Sequence, residues 1–262
     1  MEGRSSQLRR GKERPWLKYY DVTLTSEDIR CLECDWLTDN NIAFWEEYLE
    51  REILVRYPQA RIILLRPSLT MVLLHVEDQA AMPQVGKASH IFLPINNNER
   101  LNEAEGGTHW SLLLISVLDR VAFHYDSLSG MNDEYARRVT RRMDDVLKRA
   151  ERSERPDGSR RPKEPLRFVS LGDSPQQSNS IDCGVFVCLI MRHLLVKRLL
   201  SAHAREKVSM SMGGKMVDSN GGRKEMLRII DNLCIEGERR QSYVLPTAPD
   251  QQPYPSYQSI SD

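Results

Sequence analysis

The sequence predicts a single domain that mixes α and β structure around an enclosed helix. Three stretches predict it: strand-like segments at His109–Val117 and Arg120–Leu128, an amphipathic run at Asn132–Ala150, and an apolar run that starts at Val185. The two strand-like segments are separated only by Leu118-Asp119 and read as an antiparallel hairpin. In the amphipathic run Tyr135, Val139, Met143, Val146 and Leu147 share one helical face and arginines take the other. The run from Val185 through Leu194, Leu195 and Leu199 is too long for a strand, so it reads as a central buried helix.

The remaining elements follow in chain order. Residues 1–15 are basic and aperiodic, a disordered lead. A short helix is expected within Leu24–Asp35, opening after Thr25 or Ser26, with Glu27 and Asp28 against its positive dipole end. Asp39 or Asn40 can cap a second helix, which carries Ile42, Trp45, Leu49 and Ile53 on one face. Arg61–Leu65 is short and apolar, and Ser68 opens a helix through Leu74. Residues 76–89 are mostly loop, His90–Asn96 is a buried strand with Pro94 at an edge or bulge, and the polar stretch from Asn96 to Gly107 is a mobile loop. A charged loop, Glu151 to Pro165, leads to a strand at Leu166–Leu171. Met210–Gly222 is Gly- and Ser-rich and reads as loose, Arg223–Leu233 as a last helix, and 241–262 as a disordered polar tail. The domain is expected to span 16–240.

Composition narrows the function classes. Thirty-seven basic and 37 acidic residues balance to +0, which argues against a general nucleic-acid binder. The charges are unevenly placed: ten acidic residues against Arg30 and Arg51 between Asp21 and Glu52, and eleven basic against five acidic between Arg137 and Lys163. An acidic face suits a basic peptide tail, and solvated helix faces explain the same counts. No apolar run reaches membrane-spanning length, so neither a membrane partner nor a signal peptide is expected. Five cysteines do not make a disulfide framework and fit a reducing compartment, cytoplasm or nucleus. Cys31 and Cys34 share a helix face, but zinc would need a second ligand pair at suitable spacing; no metal or cofactor is expected.

The chemistry concentrates at P-Q-Q-S-N-S-I-D-C-G, Pro175 to Gly184. Cys183 stands where a turn-rich loop meets the start of the central helix, whose unpaired N–H groups favour a thiolate. Thiols at such positions fall to pKa values of roughly 3.5–7.5, although a packed core cysteine is the plain alternative. A thiol nucleophile needs a base, a group to orient that base, and donors for the oxyanion. His109 begins one hairpin strand and Asp126 lies near the end of the other, a spacing that permits an Asp126–His109 hydrogen bond. His124 competes as base but shares a strand with Asp126. Gln177, six residues before Cys183, can donate its amide to the oxyanion beside the Cys183 N–H.

The order His, Asp, Gln, Cys resembles the Ulp-type cysteine proteases that remove ubiquitin-like modifiers. G-G-T-H-W at Gly106–Trp110, H-Y-D-S at His124–Ser127, W-L-T-D at Trp36–Asp39, R-P-S-L-T at Arg66 and I-F-L-P-I-N-N-N before the polar loop carry the resemblance over about Tyr20 to Leu233. It is nearest to the small deneddylase branch, the sentrin-specific proteases that act on the Rub/Nedd-type modifier. The resemblance implies an α+β papain-like fold of the Ulp type: a central, mostly antiparallel sheet packed by helices, with the nucleophile at the N-terminus of a buried helix. It implies a His109–Asp126–Cys183 triad with Gln177 as oxyanion donor. Trp36 and Trp110 would flank a Gly-Gly tail, Asp39 would meet an arginine of that tail, and Asn97 and the loop after it would contact the modifier. The partner is a ubiquitin-like modifier with its protein conjugates, met by a monomer; a SUMO-specific protease or a silent modifier-binding module is the alternative. Thr38 departs from the commoner W-L-N-D, and the 151–165 loop and the 210–222 insertion depart from the family pattern.

Overall fold

A computed structural model describes residues 15–75, 85–99, 106–154, 164–202 and 208–242 of the chain. The expected lead, the expected tail beyond 242 and most of the loops at 76–89, 100–105 and 155–163 lie outside the described residues.

Five strands form one sheet in the order β3 (Ile62–Leu64), β4 (His90–Asn96), β5 (Trp110–Ser116), β6 (Val121–Tyr125), β7 (Arg167–Ser170). The two long central pairings are antiparallel and the two short edge pairings parallel, so the sheet is mostly antiparallel, as expected, with parallel edges. The parallel edges follow from connectivity: helix α3 (Pro67–His75) lies between β3 and β4, and α4 (Asp133–Glu154) between β6 and β7, each long enough for a crossover. Pro94 sits inside β4, yet β3 pairs only with His90–Phe92, so the missing N–H falls where that side of β4 has no strand partner. The hairpin loop is four residues, Val117–Arg120, rather than two, and Arg120 takes φ +57° to close it.

Alternation along the strands divides the core. Phe92, Leu112, Leu114 and Tyr125 pack on one side with α1 (Ser26–Cys34), α2 (Asp39–Glu52), α5 (Cys183–Leu194) and α6 (Ser219–Ser242). Ile91, Leu93, Ile95, Leu113 and Ile115 pack on the other with α3 and α4. Trp45, fully buried, donates its indole N–H to the Cys188 carbonyl at 2.9 Å and pins α2 to α5. A missing donor there would leave a buried acceptor unpaired, at about 1–3 kcal/mol.

Several local expectations shift. A small hairpin, β1 (Pro15–Tyr19) with β2 (Val22–Thr25), precedes α1 and begins within the expected lead. Thr38, not Asp39 or Asn40, caps α2: its hydroxyl accepts from Asn41 N and donates to Asp28 at 2.5 Å. Asp28 also accepts from Thr25, the cap of α1, so one carboxylate joins both helix starts. The central helix changes to a π-helix at Leu195–Leu199, where Leu200 N bonds the Leu195 carbonyl at 2.9 Å. The segment expected to be loose is tied down. Met210 and Met212 are buried, Tyr125 donates to the Met210 carbonyl at 2.8 Å, and α6 already starts at Ser219 and runs past position 240.

Candidate active site

The hairpin opens beyond its last paired rung, Leu112 with Tyr125, and there His109 and Asp126 meet. His109 is 1% exposed and its Nε2 lies 2.6 Å from Asp126 Oδ1. Asp126 is also buried, and accepts from Leu128 N on Oδ1 and Asn132 N on Oδ2, each at 2.8 Å. Burial works against its charge, but the His109 and two backbone donors prevail and hold the carboxyl below the usual range. With Nε2 committed to Asp126, the other ring nitrogen, Nδ1, is buried without a hydrogen-bond partner and is left for the Cys183 proton. Burial works against the imidazolium, but Asp126 and Cys183 outweigh it and raise the His109 pKa to about 9. Such an imidazole is a proton acceptor matched to a thiol donor.

Cys183 is the first residue of α5 and 1% exposed. The first bond of this helix runs from Phe186 N to the Asp182 carbonyl, so the N–H groups of Cys183, Gly184 and Val185 precede the ladder and point out of the helix start. Gly184 admits Leu37 closely: a Cβ there would stand 2.8 Å from Leu37 Cβ. That approach sets Trp36 and Leu37 beside the nucleophile.

Trp36 and Trp110 line a cleft of about 260 Å³ together with Asp39, Asn96, Gly106, Gly107 and His109. The walls differ. Trp110 is buried and donates its indole N–H to the Leu37 carbonyl at 3.1 Å, whereas Trp36 is 39% exposed and stands open to a ligand. Gly107 has φ +87°, and a Cβ on it would lie 1.9 Å from Asn96 Oδ1, so this turn into His109 requires glycine. Asp39 shows no cationic partner among the described residues, and burial raises its carboxyl to about 6. Among the described residues no group of three His, Cys, Asp or Glu side chains could hold a metal.

The structure thus brings His109, Asp126 and Cys183 together, with Trp36, Trp110 and Asp39 around one cleft. Gln177 and Asn97 differ in detail. Gln177 Nε2 donates to the Asn179 carbonyl at 2.6 Å and its Oε1 accepts from Ser127 Oγ at 2.6 Å, so one of its two N–H groups is already used within the loop. Asn97 spends its side chain inside the protein, accepting from Thr108 N at 2.6 Å and His109 N at 3.1 Å and donating to Thr108 Oγ1 at 3.0 Å. These bonds fix the turn that leads into His109. His124 is not available as a base: its ring nitrogens are held by Asp133 at 2.8 Å and Ser111 at 2.9 Å, and burial lowers its pKa.

Two contributors lay outside the sequence reading. Asn132, fully buried, donates its amide to the carbonyls of His109 at 3.2 Å and Ile95 at 3.3 Å and to Ser111 Oγ at 3.1 Å. Gln176 donates to the Asp126 carbonyl at 2.8 Å and accepts from Ser129 N at 2.9 Å, which ties the nucleophile loop to the hairpin end. Their only sequence mark was a polar residue in a turn, which surface loops share.

The sign of the His109 shift yields a test. A folded-state pKa of about 9 against the ordinary 6.5 adds stability that is complete below pH 6.5 and lost as pH rises through about 9. Asp126→Ala removes the anion and leaves only Cys183 to oppose burial, so NMR of the His109 ring protons should show the titration moving down from about 9. An unmoved titration would contradict this geometry.

Residues 35–214 match the Ulp1 protease family, C-terminal catalytic domain. NEDD8-specific protease 2 of Schizosaccharomyces pombe is 32% identical over 229 residues, 84% of this chain and 51% of its own length. Sentrin-specific protease 8 of Homo sapiens is 30% identical over 65% of this chain and 76% of its own. The chain spans about half the length of the two S. pombe relatives it matches. In fold it resembles the C-terminal Ulp1 protease domain solved in complex with Smt3, the yeast ortholog of SUMO, with a TM-score of 0.57 over 85% of this chain and 90% of that one, at 19% identity. The family match covers most of the chain and includes His109, Asp126, Gln177 and Cys183, so this chain belongs to the Ulp1 protease family.

Proposed function

We propose that this chain is a thiol isopeptidase that removes a ubiquitin-like modifier, of the Rub/Nedd type, from lysine conjugates and trims its precursor after Gly-Gly. The observation that carries the reading is the His109–Asp126 pair, with Cys183 acting on the same imidazole and His109 itself lining a cleft walled by two tryptophans. A tail of two glycines has no side chains and fits a narrow aromatic slot that rejects bulkier residues. The relatives named NEDD8-specific proteases favour the Nedd-type modifier over SUMO.

Catalysis starts when the Cys183 sulfur, its proton held on His109, attacks the terminal glycine carbonyl. The tetrahedral oxyanion takes hydrogen bonds from the Cys183 N–H and the remaining Gln177 N–H, and losing one such donor costs about 10²–10³ in turnover. Collapse breaks the C–N bond, and His109 protonates the departing lysine amine. Water, deprotonated by His109, then cleaves the thioester and frees the modifier carboxylate and the thiol. Asp126 keeps the imidazole oriented through both proton transfers. A single domain over 16–240, acting as a monomer in the cytoplasm or nucleus without binding nucleic acid, completes the proposal.

Each candidate modifier carrying a C-terminal electrophile, incubated with the protein and weighed as an intact adduct, tests the substrate. The Nedd-type modifier should add one equivalent at Cys183, and Cys183→Ala should bind it without adduct or hydrolysis. A faster SUMO adduct would transfer the assignment to desumoylation, and no adduct at all would leave a binding module. The Asp39 carboxyl supplies a second test. It is neutral below its pKa of about 6 and anionic above it, so KM for a modifier with a basic tail residue should fall as pH rises through about 6. Asp39→Asn should flatten that dependence; a flat wild-type profile would remove Asp39 from the recognition site.

A further inference from the structure

The start of α5 is held by a side chain from α6. A Cβ on Gly222 would stand 2.6 Å from Leu189 Cδ1, so glycine lets the first turn of α6 press against α5. That approach inserts Arg223, only 6% exposed, between α1 and the residue before the nucleophile. Its Nε and Nη2 donate to Asp182 Oδ1 at 3.0 and 2.8 Å. Its Nη1 donates to the Cys31 and Leu32 carbonyls, both at 3.0 Å, and Nη2 reaches the carbonyls of Asp35 at 2.8 Å and Ile181 at 3.1 Å.

These partners fall into two groups. Asp182 is the N-cap residue of α5 and Ile181 precedes it, so one side of the guanidinium grips the loop that presents Cys183. Cys31, Leu32 and Asp35 belong to the last turn and cap of α1, where the Cys31 carbonyl also takes Asp35 N at 2.9 Å, and Trp36 follows them directly. One rigid fork therefore spans the nucleophile's helix start and the wall of the cleft. Arg223 lies beyond residues 35–214, the stretch that matches the family's catalytic domain.

We propose that Arg223 is a positioning residue for the thiol chemistry, which holds Cys183 in place by clamping Asp182 and holds the Trp36 wall by clamping the end of α1. The effect on the wall rests on the isopeptidase reading; the effect on the thiol does not. A lysine cannot reproduce the clamp, because a single ammonium lacks the planar fork. Its loss also leaves the Asp182 carboxylate with Asn179 on one oxygen, at 2.8 Å, in the residue before the nucleophile, where a like charge opposes thiolate formation.

Two variants separate the halves of the clamp. Arg223→Lys and Asp182→Ala are compared with the wild-type chain, each first shown to be folded by thermal melting. Cys183 alkylation by iodoacetamide is followed against pH by peptide mass, and kcat and KM are measured on a modifier with a fluorogenic C-terminal amide. Arg223→Lys should move the alkylation profile to higher pH, raise KM and cut kcat/KM by about 10²-fold, as a misplacement near 1 Å does. Asp182→Ala should cut kcat while KM and the alkylation profile stay near wild type, because the α1 carbonyls remain gripped and no stray carboxylate is left. A folded Arg223→Lys with wild-type profile, kcat and KM overturns the proposal, and so do two variants with one shared pattern. If Arg223→Lys does not fold, Asp182→Ala decides alone, and an unchanged kcat there overturns it. Alkylation needs no modifier, so failure of the substrate assignment shows as absent wild-type turnover with the alkylation difference intact.

Discussion

Asp126 is the carboxylate on which the site depends. Its two oxygens take His109 and the backbone of Leu128 and Asn132, and its carbonyl takes Gln176, so one residue joins the hairpin end, the entry to α4, the base and the nucleophile loop. A buried carboxylate is costly unless its lone pairs are filled, and here the filling bonds also build the site. Remove the charge and those donors lose their acceptor together.

The same economy governs the acidic first third of the chain. Much of the excess between Asp21 and Glu52 is used internally. Glu47 and Glu50 converge on Arg66 at 2.5 and 2.6 Å, Glu27 and Asp35 pair with Arg30, and Asp28 serves two helix caps. Glu46, fully buried, has both oxygens without a hydrogen bond, and burial pushes its pKa well above the carboxylate range. Arg66 Nη1 lies 3.8 Å from its Oε2, so one arginine gathers three carboxylates between α2 and the start of α3. Asp39 stands apart at the cleft, a carboxyl without a cationic partner among the described residues, beside the Arg30-paired Glu27 and Asp35.

Much of this was legible in the sequence because it depended on local pattern. The period of Ile42, Trp45 and Leu49, the alternation in β4 and β5, and the hairpin spacing of His109 and Asp126 each report a structure built from neighbours in the chain. What stayed hidden depends on contacts between distant segments. Asn132 and Gln176 read as loop polars, and Arg223 as one more charge on a last helix, until the fold sets them against backbone carbonyls far away in number. The parallel edges of the sheet escaped for the same reason, since pairing direction is decided by the crossovers. Met210 and Met212 show the converse: a Gly- and Ser-rich composition suggested looseness, and two buried thioethers anchor the segment.

The central claim is that the thiol at 183 depends on the imidazole at 109 and on no other base. The most direct measurement is kcat/KM for cleavage of the modifier's C-terminal amide by wild type and by His109→Ala, at a pH and temperature where both are folded. The account predicts a loss of about 10²–10⁴-fold, the usual contribution of a positioned general base. A variant within a few-fold of wild type would contradict it and would show that the proton leaves by another route.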